Sequence, residues 1–200
     1  MPIKQTFVLT LAFVASSTVP FSMETASAAE CKVAGASQEF LIRMADSIRG
    51  VIQADRSIYA EHVVTRLVDN QGAIKASEQW KDEKGTLPLP AQMLRMGSEH
   101  FAKNNKGISY SLLSTFPINK QNSAKTESEK KGLLAVAQDP TKNYYDCETL
   151  GKKSYFTAIY ADVAVSKSCV SCHNKHKDSP KKDFKLNDVM GGVTIRIAAD

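Results

Sequence analysis

Cys169-Val170-Ser171-Cys172-His173 is followed, after a lysine-rich stretch, by Val189-Met190-Gly191-Gly192-Val193-Thr194-Ile195-Arg196-Ile197. The two segments together decide the fold. The first is the C-x-x-C-H pattern of covalent c-type haem attachment. Two cysteines three residues apart can both be bonded to the vinyl groups of one haem, and the adjacent histidine is then placed to reach the iron. A redox dithiol or half a zinc site is the competing reading. No second C-x-x-C occurs, since Cys31 and Cys147 stand alone, and the motif lies late in the chain instead of opening a first βαβ helix. The second segment alternates apolar and polar residues and reads as a strand. Its twin glycines point to a bulge or to a close approach of backbone to something flat.

The N-terminus points to the same compartment as the haem motif. Lys4, the apolar run 7–15, Pro20 and Ala26-Ser27-Ala28 form a basic region, a core too short to span a bilayer and an A-x-A cleavage site. Residues 1–28 are therefore expected to be a cleaved signal peptide, and 29–200 one exported, periplasmic domain. Glu30 precedes Cys31 where a lipid-attachment site needs a small residue. No later stretch is apolar enough to span a membrane. Cleavage removes one lysine and one glutamate, so the net charge stays +5. Lys175, Lys177, Lys181, Lys182 and Lys185 cluster with His176 after the haem motif. Such a run is either a solvated loop or a docking patch for an acidic redox partner. Nothing interleaves aromatic and basic residues as nucleic-acid binding would require.

The remaining pattern gives an α+β chain. Leu41, Met44, Ala45, Ile48, Val51, Ile52, Ile58, Tyr59, His62, Val63 and Leu67 recur at three- and four-residue steps, which predicts an amphipathic helix over 37–68 with a break near Gly50 left open. Pro88 and Pro90 open a second helix over 91–103, and a short helix follows over 128–138. Strands are read at 108–113, 153–161 and 189–197. The expected architecture is an antiparallel sheet with the haem loop inserted between its strands.

Several of these stretches carry a resemblance. Leu87-Pro88-Leu89-Pro90-Ala91, Pro117-Ile118-Asn119 with Asn122, Glu127 or Glu129 opening a helix, Cys169 to Asn174, and Phe184-Lys185-Leu186-Asn187-Asp188-Val189-Met190-Gly191-Gly192 resemble the PAS-like monohaem c-type domain family. Its members include a cyanobacterial haem protein and the periplasmic sensor modules of bacterial receptors. The resemblance implies a PAS-like antiparallel sheet with a long N-terminal helix packed across it and one covalent haem c between them. In the best-known members a cysteine on that helix is the sixth iron ligand, but residues 37–68 contain no cysteine.

The resemblance therefore gives Cys169 and Cys172 as attachment sites and His173 as proximal ligand, and it leaves the distal side open. His62, one helical turn from Tyr59, is the first distal candidate. Met93, Met96, His100 and an open site are the others. His176 is too close to His173 to reach the opposite face, Met190 reads as strand core, and Arg56 and Tyr59 suit the propionates or the distal pocket. Cys31 and Cys147, both outside the haem motif in an oxidising compartment, are expected to pair. The functional expectation is one-electron transfer, with a haem-based redox or small-gas sensor acting on a partner protein as the alternative. Peroxidase-like catalysis would need an acid/base pair such as His62 with Arg56, and no enzyme is expected.

Overall fold

Ser37 starts the first helix of the computed structural model, which describes residues 35–199. Its hydroxyl accepts the Phe40 N–H, a side-chain cap for α1 (Gln38–Ile58). Gly50 lies inside α1 without breaking it. From Tyr59 to Asn70 the winding is π-helical, and it closes where the Gln71 N–H reaches the Arg66 carbonyl. Two short parallel strands follow, β1 (Lys75–Ala76) and β2 (Thr86–Leu87). Pro90 then opens α2 (Pro90–Asn104), where a missing N–H costs nothing.

The sheet comprises β3 (Ile108–Leu113), β4 (Tyr144–Leu150), β5 (Lys153–Val163) and β6 (Val189–Ala198), in the antiparallel order β3-β6-β5-β4. Between β3 and β4 lies α3 (Glu127–Gln138), whose first turn is closed reciprocally by Thr126 and Glu129. Between β5 and β6 lies α4 (Lys167–Lys175), so the haem motif is helical and not a plain loop. The reading of the sequence also omits β4. Its alternation is hidden because Asp146 and Glu148 are polar yet face protein, Glu148 accepting from Thr157 and from Arg196, both at 2.8 Å.

The two faces of the sheet differ. On one, Phe156, Ala158 and Tyr160 of β5 and Val193, Ile195 and Ile197 of β6 form a buried cluster with Leu41 and Ala45 of α1. On the other, Ile159 packs with Leu113 and with Leu133 and Val136 of α3. The polar half of β6 is therefore not solvent-facing, since α3 covers it. Arg196 bonds Glu129 at 2.6 Å as well as Glu148, and Thr194 is 1% exposed.

The twin glycines do two things. Asp162 pairs with Gly191 and Val163 with Val189, so Met190 is the extra residue of a bulge, and Ser114 Oγ donates to its carbonyl at 2.6 Å. A Cβ on Gly191 would stand 2.2 Å from the Leu113 carbonyl oxygen. The close neighbour of Gly191 is thus the adjacent strand β3, while a Cβ on Gly192 would meet Ile159 of β5 and Leu133 of α3, both at 2.9 Å. The bulge turns the end of β6 toward α4.

Candidate haem site

The haem motif is held by local chemistry on α4. Ser166 is its cap, accepting the Cys169 N–H at 3.3 Å and touching the Cys169 sulfur at 3.1 Å. Cys169 is half-buried and Cys172 exposed, and neither is in a disulfide. Three residues apart on a helix, both thiols lie on one side. Behind them Ala164, Phe184 and Met190 form a small buried cluster that takes Cys169 and Val170 onto its edge. Asn174 ties the following loop back to the helix. Its amide donates to the Phe184 carbonyl at 2.9 Å and accepts the Phe184 N–H at 3.0 Å. Phe184 is thereby fixed edge-on to the His173 ring, centroids 5.8 Å apart.

The His173 Nδ1 is buried without a hydrogen-bond partner among the described residues. Burial holds its imidazole below the ordinary histidine value; Asp162 works against this, while His176 and Arg56 work with it. The ring is therefore kept neutral, the form that ligates metals. Cys172 is exposed as a residue, but partial loss of water around its sulfur pushes the thiol up, helped by Glu78 and Cys169. Two unpaired thiols on one side of a short helix, beside a half-buried imidazole with a buried, unused ring nitrogen, fit a covalently attached haem.

The first helix reaches this site through charge. The Arg56 guanidinium forms a two-pronged pair with the Asp162 carboxylate, Nη2 to Oδ2 at 3.2 Å and Nη1 on Oδ1. Burial would lower the Arg56 value, but Asp162 outweighs it and Cys169 adds to the rise. Tyr59 donates to the Pro88 carbonyl at 2.7 Å. Asp69 accepts from Ser168, in the first turn of α4, at 2.7 Å.

The distal candidates are scattered. His62 is exposed, not on the apolar face of its helix. The reason is the winding: π-helical bonds span five residues, which aligns Tyr59 with Val64 and turns the residue three positions on away. Val64 is accordingly buried. Met93, Met96 and His100 line a groove of about 720 Å³ with Gly97, Phe101 and Tyr110, against the middle of β3. His176 turns to the β1–β2 connection, its Nε2 3.3 Å from Glu78 while Nδ1 accepts the Asp178 N–H. Met190 is core, as read. The pairing of Arg56 with Asp162 was missed, because an arginine and an aspartate 106 positions apart leave no mark on local pattern. Cys147 is disulfide-bonded; Cys31, its expected partner, lies outside the described residues, as do residues 1–28 of the expected leader.

A family model described as Tll0287-like (Tll0287) matches residues 29–198. This chain belongs to the Tll0287-like family. The resemblance read from residues 87–197 thus extends across the helices that precede them. A solved structure, the cyanobacterial heme-protein Tll0287, superposes with a TM-score of 0.51 at 13% identity, covering 81% of this chain and 96% of that one. At that identity the match speaks for the fold. None of the curated proteins matches.

Proposed function

We propose that this Tll0287-like protein binds one haem c, attached through Cys169 and Cys172 with His173 as proximal ligand, and transfers single electrons outside the cytoplasm. The observation that carries the reading is the pair of unpaired thiols on α4 beside a half-buried His173 whose Nδ1 is buried without a hydrogen-bond partner among the described residues. When bound, the haem supplies a one-electron iron couple. The residues of the chain hold and orient it: Phe184 sets the plane of the His173 ring, and Asn174 fixes Phe184. The sequence of residues 1–28 supports export. Among the described residues no helix is long and apolar enough to cross a membrane.

Partner docking is assigned to the lysine-rich loop 175–185. Lys175 at the end of α4 and Lys177, Lys182 and Lys185 after it are exposed, as are Val165 and Leu186 at either end of the same segment, the mixture of basic and apolar side chains that an acidic redox partner would meet. Lys181 is engaged with the Phe184 ring and with Asp183 and is left out. A second reading, a sensor of redox state or of a small gas, is favoured by the two ties from the first helix and its continuation, Arg56 to Asp162 and Asp69 to Ser168. A catalytic role finds less support: Arg56 is committed to Asp162, and His62 is exposed.

Reduced-minus-oxidised spectra with and without carbon monoxide test the proposal. A sharp ferrous spectrum that carbon monoxide leaves unchanged supports the carrier. Immediate carbon monoxide binding supports the sensor, and a protein without a haem spectrum contradicts both.

A further inference from the structure

The Arg56–Asp162 pair joins two places that matter to the site. Arg56 lies near the end of α1, and Asp162 is the last residue of β5 before the register shift opposite the bulge. Both side chains are largely shielded, 18% and 13% exposed. Water therefore screens their charges less than those of a surface pair. They adjoin the haem motif: Asp162 stands two positions before Ala164, which belongs to the buried cluster that takes Cys169 and Val170 onto its edge, and Arg56 is bonded to Asp162. A carboxylate there favours added positive charge at the site and a guanidinium opposes it. As a pair they are neutral, so their opposite influences largely cancel.

We infer that Arg56 and Asp162 form a balanced charge couple that holds the reduction potential at the haem held by His173 between the values either charge alone would impose and, through Arg56, links the oxidation state of the iron to the position of α1. The inference rests on the haem attachment proposed above. Oxidation adds one positive charge at the iron. Asp162 stabilises the oxidised site and Arg56 the reduced one. By reciprocity, whatever the pair does to the iron equilibrium, the iron does to the pair. Reduction favours the guanidinium side and oxidation the carboxylate side. The strand end and the helix end thus respond in opposite senses to one electron. A purely structural ion pair predicts something different: removing either partner opens the same junction, so both losses disturb the site in one direction.

The test is a spectroelectrochemical titration of the holoprotein. Asp162→Asn leaves Arg56 unbalanced and is expected to favour the ferrous state about tenfold, an upward shift of about 59 mV for one electron. Arg56→Gln leaves Asp162 unbalanced and is expected to shift the potential downward by a similar factor. The double variant Arg56→Gln/Asp162→Asn is expected to return close to the parent. Opposite signs with recovery in the double variant support the couple. Shifts of the same sign, or none in either single variant, overturn it. If one single variant does not fold, the other decides together with the double variant: a shift of the expected sign that the double variant reverses supports the couple, and no shift, a shift of the opposite sign or no reversal overturns it. If the parent protein carries no haem absorbance, the attachment reading itself has failed and the couple falls with it. A parent that titrates while its variants shift together overturns only the couple.

Discussion

Arg196 shows what a half-buried charge does in this protein. It stands between Glu129 and Glu148 under α3, and Glu129 is 3% exposed. Burial pushes the Glu129 carboxyl up, but the N–H groups of Lys125 and Thr126 and the Arg196 charge together hold it below the ordinary value. Its folded value lies below its unfolded one. The stabilisation is therefore complete above the unfolded glutamate range and is lost as pH falls toward the folded value. Urea unfolding should weaken on acidification through that range, and Glu129→Gln should flatten the dependence. Arg196→Leu strands two carboxylates and should cost about 3–5 kcal/mol at neutral pH by the same measurement. His62 makes the opposite case at the same scale. Exposed on the π-helical segment, it should be replaceable: His62→Ala is expected to leave the ferric spectrum unchanged, and loss of a low-spin spectrum would restore it as distal ligand.

Among elements, the glycines of α3 and β6 separate soft from hard packing. A Cβ on Gly132 would meet the Ile159 Cδ1 at 2.4 Å and the Tyr144 ring at 2.6 Å, side-chain atoms that can shift; on Gly191 it would meet the backbone oxygen of Leu113 at 2.2 Å. Gly191→Ala should be the more damaging, by about 1–3 kcal/mol in thermal or urea unfolding, because the ladder itself must move. A larger loss for Gly132→Ala would contradict this ordering. The same elements show what a sequence discloses. Strand β3 was legible residue for residue, and α2 and α3 to within one, because their apolar periods are uninterrupted and their ends carry Pro90 and the Thr126–Glu129 box. Strand β4 was not legible, because its Glu148 answers Thr157 of β5 and Arg196 of β6, partners supplied by tertiary structure. The short parallel pair β1–β2 lacks any periodic signal at two residues each. The helical form of the haem motif follows from the cap of Ser166, a residue that sits just outside the motif. The motif residues 169–174 and Phe184 could be singled out because they stand in short contiguous stretches; the pairing of Arg56 with Asp162 could not, because its partners arrive from distant positions.

At the scale of the whole molecule, the sheet divides the labour. One face takes α1, the other takes α3 with its buried ion network, and the bulged end of β5 and β6 carries α4. The first helix is tied to that end by Arg56 and its π-helical continuation by Asp69, so the site is assembled from segments more than 100 positions apart. Cys147, on the edge strand β4, adds a covalent constraint. With Cys31 as its partner the bridge would close a loop of over a hundred residues, worth about 5 kcal/mol in the chain-entropy model. Reductant should lower the melting temperature of the parent and leave Cys147→Ser unaffected, and an equal response from both would contradict a stabilising bridge. The central claim is that one haem is covalently held on α4. Its most direct test is the mass of the denatured protein after expression with c-type haem maturation. The account predicts the mature chain plus one haem, lost in Cys169→Ser/Cys172→Ser; a denatured parent chain with no added haem would contradict it.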